Sequence, residues 1–131
     1  MEPTVEFFVS DLRRSFEFYR KMGFETFQTT EATYGLVKFG QTVVGLYASG
    51  DKITQHSWFG RFPKGTPKCY GVELIVVVPD IKKQYGVILN SVGKSFVAQD
   101  LQMKRWGVRD FRMHDPDGYY IRFTEQFDFL K

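Results

Sequence analysis

Apolar positions along the chain switch between a period of two and a period near four. TVEFFV (residues 4–9) is a short run of β-formers, and the polar step after it offers Ser10 or Asp11 as a helix N-cap. From Leu12 the apolar positions Leu12, Phe16, Tyr19 and Met22 recur at helical spacing until Gly23, the residue type that most easily ends a helix in left-handed geometry. Three strand-like runs follow: FETFQTT (24–30), YGLVKFG (34–40) and TVVGLYA (42–48), the last two joined by a tight turn at Gly40 and Gln41. The predicted order is strand, helix, then three strands.

The second half repeats that order. At a shift of 69 residues Val9, Asp11, Leu12, Arg13, Arg14 and Phe16 meet Val78, Asp80, Ile81, Lys82, Lys83 and Tyr85. YGVELIVVV (70–78) reads as a strand, and Pro79 suits the first turn of a helix whose apolar stripe is Ile81, Tyr85, Ile88, Leu89 and Val92 before Gly93. KSFVAQ (94–99), WGVRDFRM (106–113) and YYIRFTE (119–125) supply three more strands; WGVRDF also echoes YGLVKF, with Trp106, Gly107 and Phe111 falling 72 residues after Tyr34, Gly35 and Phe39. Repetition on this scale marks a duplicated supersecondary unit, because neither half can bury its sheet face alone. The expected organisation is one domain over 1–131, made of two βαβββ units at about 3–48 and 70–127 with a loop at 49–69 between them. That loop is polar and carries two Pro and three Gly, yet it includes Trp58, Phe59 and Phe62. Three roles fit its aromatics: capping a cavity, anchoring a partner chain, or holding the loop down.

Fourteen Phe and seven Tyr are a heavy aromatic load for 131 residues, suited to a β-rich protein with an aromatic cavity or an aromatic core. The net charge of +3 is mild and spread along the chain, so nothing indicates nucleic-acid binding. Cys69 is alone, which excludes an intrachain disulfide, and His56 and His114 form no pair of the kind common zinc sites need. MEPTVEFFVS lacks the basic start and long apolar stretch of a signal peptide, and the longest apolar run, LIVVV at 74–78, is far too short to span a bilayer. A soluble, cytoplasmic protein with no membrane partner is expected.

One stretch looks like chemistry. In WGVRDFRMHDPDGYYIRFTEQ (106–126), His114, Asp115, Asp117 and Glu125 stand close together, as metal ligands would. A calcium loop with Gly118 at its glycine position needs an acidic residue at 124 and an aliphatic one at 120, and the chain has Thr124 and Tyr120. Residues 115–118 therefore read as a hairpin turn, with His114 a solvent-facing strand residue before it. Strand alternation then puts Tyr120, Arg122 and Thr124 on one face and Tyr119, Ile121, Phe123 and Glu125 on the other. Cys69 has no sequence sign of a partner base, and no Gly-rich phosphate loop is present.

The opening V-S-D-L-x-x-S-x-x-F-Y (9–19), Gly23-Phe24 after the helix, and the closing W-G-x-R-D-F-x-x-x-D-P-D-G (106–118) resemble the vicinal-oxygen-chelate superfamily. That superfamily includes glyoxalases, extradiol dioxygenases and fosfomycin- and bleomycin-resistance proteins. The resemblance implies an α+β fold in which two βαβββ units form curved half-barrel sheets around a cavity, commonly within a homodimer. Catalytic members hold a divalent metal through His, Glu or Gln on the first and last strand of each unit. The matching positions here are Thr4, Gly45, Glu73 and Arg122. Only one is a metal ligand, and Arg presents donors alone. The resemblance to bleomycin-resistance proteins, through Arg122 and the Trp106-Gly107 pair, implies a drug-sequestering protein linked to antibiotic resistance, without metal or cofactor and not an enzyme. Its ligand is expected to be aromatic or heteroaromatic, held by Trp58, Phe62, Glu73, Trp106, Tyr120 and Arg122, with Glu73 and Arg122 forming an ion pair. Two alternatives stay open: a glyoxalase- or dioxygenase-like enzyme using unusual metal ligands or a carboxylate base such as Glu6 or Glu73, and a structural or regulatory dimer whose cavity its own side chains fill.

Overall fold

The computed structural model describes residues 1–130, apart from the side chain of Asp51. The first unit runs β1 (Val5–Val9), α1 (Leu12–Lys21), β2 (Glu25–Gln28), β3 (Tyr34–Phe39) and β4 (Thr42–Ala48); the second runs β5 (Leu74–Val77), α2 (Ile81–Ser91), β6 (Val97–Met103), β7 (Arg109–His114) and β8 (Tyr120–Thr124). The fold is α+β. Both helices start and stop by the same devices. The Asp11 carboxylate accepts the Arg14 backbone N–H at 3.1 Å, and Asp80 accepts that of Lys83 at 3.1 Å. Gly23 and Gly93 follow the last turns with φ of +105° and +96°, a conformation that a side chain would strain.

The boundaries differ from expectation in three places. Pro79 lies outside α2, one residue before the N-cap Asp80, so its fixed φ shapes the exit from β5 and not the helical turn. The strand expected over 70–78 is extended only from Leu74 to Val77, because Cys69 at φ +62° and Gly71 at φ +78° turn the chain just upstream. KSFVAQ begins as a short 3₁₀ turn at Lys94–Phe96, and β6 starts after it and runs to Met103.

Each unit makes a four-stranded mixed sheet, ordered β1-β4-β3-β2 and β5-β8-β7-β6. The outer pairs β1/β4 and β5/β8 are parallel and the hairpins antiparallel. Register makes the duplication quantitative. Val5 lies opposite Val44 as Leu74 lies opposite Ile121, so Thr4 corresponds to Glu73, Glu6 to Ile75 and Gly45 to Arg122. The echo of YGLVKF in WGVRDF does not survive this test. Leu36 faces Gly45 and Arg112 faces Arg122, so Tyr34 corresponds to Asp110, and Trp106 lies in the turn before β7.

Alternation along the strands sends one face of each sheet inward. Phe7, Val37, Val44 and Leu46 from the first sheet and Val76, Phe111, Met113, Ile121 and Phe123 from the second are buried in one core with both helices. Phe7 stacks on Tyr119 at 4.0 Å and Phe39 meets Phe123 edge-on at 6.0 Å, so the two units share apolar contacts and not merely a linker.

The polar joint between the units is the turn after β7. Asp115 is fully buried and accepts the backbone N–H groups of Asp117 (2.9 Å) and Tyr119 (2.8 Å) and the Tyr19 hydroxyl of α1 (2.8 Å). Next to it the Tyr119 hydroxyl accepts the Phe8 N–H at 2.8 Å, and Asp117 accepts the Ser10 N–H at 3.1 Å. Gln84 of α2 donates to the Met22 carbonyl at the end of α1 (2.8 Å). Removing Asp115 strands a buried phenol and two buried N–H groups at once. Asp115→Ala is expected to cost about 2–4 kcal/mol in denaturant unfolding, and Tyr19→Phe about 1–2, with the double variant losing clearly less than the sum. Burial, then the neighbouring Asp115 charge, holds the Tyr19 phenol above its ordinary value of 10.0. A raised folded value means that this stability is whole below pH 10 and is lost as pH rises beyond it, so Tyr19→Phe should flatten part of the alkaline fall in melting temperature.

Candidate functional site

The core takes one face of each sheet and leaves the other face open. On the first open face stand Glu6 and Phe8 of β1, Gly45 and Tyr47 of β4 and Tyr34 of β3. The Tyr34 hydroxyl donates to Glu6 Oε2 at 2.9 Å, its ring passing over Gly45. A Cβ at position 45 would lie 2.1 Å from the Tyr34 oxygen, which explains a glycine in mid-strand. Burial, then the Glu6 carboxylate, pushes the Tyr34 phenol up to about 12. The linking loop packs over the same face: Phe8 makes edge contacts with His56 and Phe59, each at 5.9 Å. His56 Nδ1 in turn accepts the backbone N–H groups of Trp58 (3.0 Å) and Phe59 (3.2 Å), which shapes the loop. At its tip the Arg61 guanidinium lies 3.3 Å from the Trp58 ring centroid and 5.2 Å from that of Phe62.

The second open face is charged. Arg112 pairs with Glu73 at 3.4 Å and with the buried Asp110 at 3.4 Å, and Lys104 lies 3.7 Å from Asp110. The expected Glu73–Arg122 pair is replaced by Glu73–Arg112. Arg122 stands opposite Ile75 on β5, and Arg112 is the guanidinium in reach of Glu73. The Arg122 side chain has no hydrogen bond or ion pair with any described residue.

A groove of about 570 Å³ opens beside this face, lined by residues 67–73 with Gly118 and Tyr120. Glu73 and Tyr120 are in its wall, and Arg122 is two residues along β8 on the face of Tyr120. Trp58 and Phe62 come together at the exposed loop tip, 6.4 Å apart, and line no part of that groove. Trp106 is 37% exposed in the β6–β7 turn. Cys69 also lines the groove, but burial pushes its thiol up, away from the thiolate a nucleophile needs.

The residues that looked like a metal cluster disperse. Glu125 accepts from Arg109 at 2.7 and 3.1 Å, Asp117 faces Ser10, Arg14 and Lys68, and Asp115 serves the joint between the units. His114 is half-buried against Phe96 (5.4 Å) instead of facing solvent. Among the described residues no three of His, Cys, Asp and Glu come together as metal ligands would.

No family model matches the chain, and no curated protein matches it by sequence. Solved structures do. A member of the glyoxalase/bleomycin resistance protein/dioxygenase superfamily from Sphaerobacter thermophilus is 23% identical, covering 96% of this chain and 98% of that one, with a TM-score of 0.67. A bleomycin resistance determinant encoded on the transposon Tn5 is 16% identical, covering 96% and 98%, with a TM-score of 0.65. A bleomycin-binding protein complexed with bleomycin is 16% identical, covering 97% and 99%, with a TM-score of 0.66. The chain has the glyoxalase/bleomycin-resistance/dioxygenase fold.

The metal that catalytic proteins of this fold carry does not fit the residues present. Gly45 has no side chain and Tyr34 fills the space above it; Glu73 is engaged by Arg112; Arg122 offers only donors; Thr4 is exposed ahead of β1. Sequence reading missed the Glu6–Tyr34 pair and the role of Arg112. The one available sign was a glycine inside the strand run TVVGLYA, which points to close approach by another group. Replacing Glu6 by Gln is expected to bring one tyrosine down from about 12 toward, but not to, its ordinary value in an ultraviolet tyrosinate titration, since burial is the larger cause. Gly45→Ala should do the same by pushing the ring off Glu6, and should also lower the melting temperature.

Proposed function

We propose that the protein binds and sequesters a small aromatic or heteroaromatic, drug-like molecule without a metal or cofactor, in the manner of bleomycin-resistance proteins. The observation that carries this reading is the character of the four positions where relatives of this fold hold a metal. They are filled by Thr4, a glycine packed under Tyr34, an ion-paired glutamate and an arginine, beside an open groove walled by Tyr120 and Glu73. The bleomycin-binding protein of the same fold, solved with bleomycin, supports a small-molecule role.

The ligand site in this reading is Glu73, Tyr120 and Arg122 at the sheet, with Trp58 and Phe62 closing from the loop and Trp106 from the hairpin turn. Such closure involves a second copy of the chain. Ile75 and Val77 on the outer strand β5 are 45% and 53% exposed, an apolar edge that a homodimer would cover. A cytoplasmic setting agrees with Cys69 as a free thiol, and among the described residues no helix is long and apolar enough to cross a membrane. A second reading rests on Glu6, the one open-face carboxylate held only by a phenol: an enzyme using it as general base.

A thermal-shift and tryptophan-fluorescence screen of aromatic antibiotics and divalent metals, run with and without chelator, tests the choice. Binding predicts quenching and a raised melting temperature that chelator leaves intact, with Trp58→Ala weakening affinity by about tenfold. Stabilisation by a divalent metal alone, abolished by Glu73→Gln, would overturn it.

A further inference from the structure

The charges on the second open face do not balance. Lys104, Arg112 and Arg122 share the face with two carboxylates, Asp110 and Glu73, and both carboxylates are taken by Lys104 and Arg112. Arg122 lies directly opposite Arg112 in the β7–β8 ladder, the arrangement in which like charges oppose each other most closely. Its Nε is buried and has no hydrogen-bond partner, as is true of Arg112 Nε and Asp110 Oδ1 beside it. A guanidinium that is half-buried, unpaired and set against a second guanidinium is disfavoured in the free protein on each of these counts. An oxyanion would relieve all three. Arg122 is not itself in the groove wall but stands next to it: Tyr120, two residues away on the same face, and Glu73, next to the strand that carries Ile75 opposite Arg122, both line the groove.

We propose that Arg122 is the anion receptor of this groove, and that the ligand class is an aromatic acid. A carboxylate of the ligand takes the guanidinium edge in a two-point hydrogen bond while its ring lies along Tyr120. This rests on the aromatic-ligand reading above and narrows it: neutral and purely cationic aromatics lack the group that Arg122 awaits. A carboxylate from a second copy of the chain has the same chemistry, and Glu6, which no cation among the described residues engages, is the candidate source on the other open face. The unpaired guanidinium beside a ligand-sized groove favours the small molecule.

Four measurements on the intact protein decide it: calorimetric binding of naphthalene carboxylate and of naphthalene carboxamide, the Arg122 Nε–H signal in nitrogen–proton NMR, and mass by light scattering. The carboxylate is expected to bind about tenfold or more tightly than the amide and to move the Arg122 signal. Arg122→Gln should bring carboxylate binding down to the level of the amide, leave the mass unchanged, and keep or raise the melting temperature of the free protein, because a like-charge contact is gone. Equal binding of acid and amide, untouched by Arg122→Gln, overturns the anion receptor while leaving aromatic binding intact. Loss of dimer mass in Arg122→Gln assigns the guanidinium to a partner's carboxylate and overturns it as well. A signal that moves with acetate when neither naphthalene compound binds keeps the anion site and sinks the aromatic reading. A signal that no anion moves sinks the inference itself.

Discussion

Asp115 is a carboxylate with no exposure to solvent, and three groups from two units converge on it: the Tyr19 hydroxyl of α1 and the backbone N–H groups of Asp117 and Tyr119. Burying it costs free energy, and desolvation indeed holds its proton above the usual carboxylate range. The hydrogen bonds offset that cost only while the turn and α1 keep their places, so the interaction fixes geometry more than it adds stability. Tyr119 and Asp117 extend the same joint onto β1 through Phe8 and Ser10, and the Phe7–Tyr119 stack closes it from the apolar side. The two sheets are held to each other by this joint from both its polar and its apolar side.

That joint decides where the site is. Because the inward faces of both sheets are spent on a common core, the opposite faces remain open, and everything with chemistry stands on them. The two faces have diverged. At equivalent register one carries Gly45 under Tyr34 with Glu6 beside it, the other carries Arg122 with Ile75 beside it. The repeated scaffold thus presents one aromatic, acid-bearing surface and one surface richer in cations, and among the described residues neither brings together three His, Cys, Asp or Glu side chains as a metal site would.

Local signals carried most of the fold. Asp11 and Asp80 cap the helices, Gly23 and Gly93 close them, and strand alternation sends Ile121 and Phe123 inward and Arg122 outward, all short-range effects that a single sequence displays. Spacing along the chain does not determine which residues a ladder sets opposite each other. Trp106 echoed Tyr34 by residue type, but hydrogen-bond register places Asp110 at that equivalence and leaves the tryptophan in a turn. Pro79 matched a helix-start preference that Asp80 had already met. The candidate site was legible as a set of positions, and not as a set of partners.

Caps, periodicity and turn chemistry act over a few residues, so the linear chain carries the repeated βαβββ order, the α+β class and the turn at Asp115–Gly118, while Thr4, Gly45, Glu73 and Arg122 stand out as a set only through the family resemblance. Packing in three dimensions sets Glu73 against Arg112, lays Tyr34 over Gly45 to meet Glu6, and leaves the Arg122 side chain without a partner among the described residues. Those outcomes depend on which side chains a strand register sets opposite one another. Register is set by the whole packed sheet, so no stretch of sequence contains it.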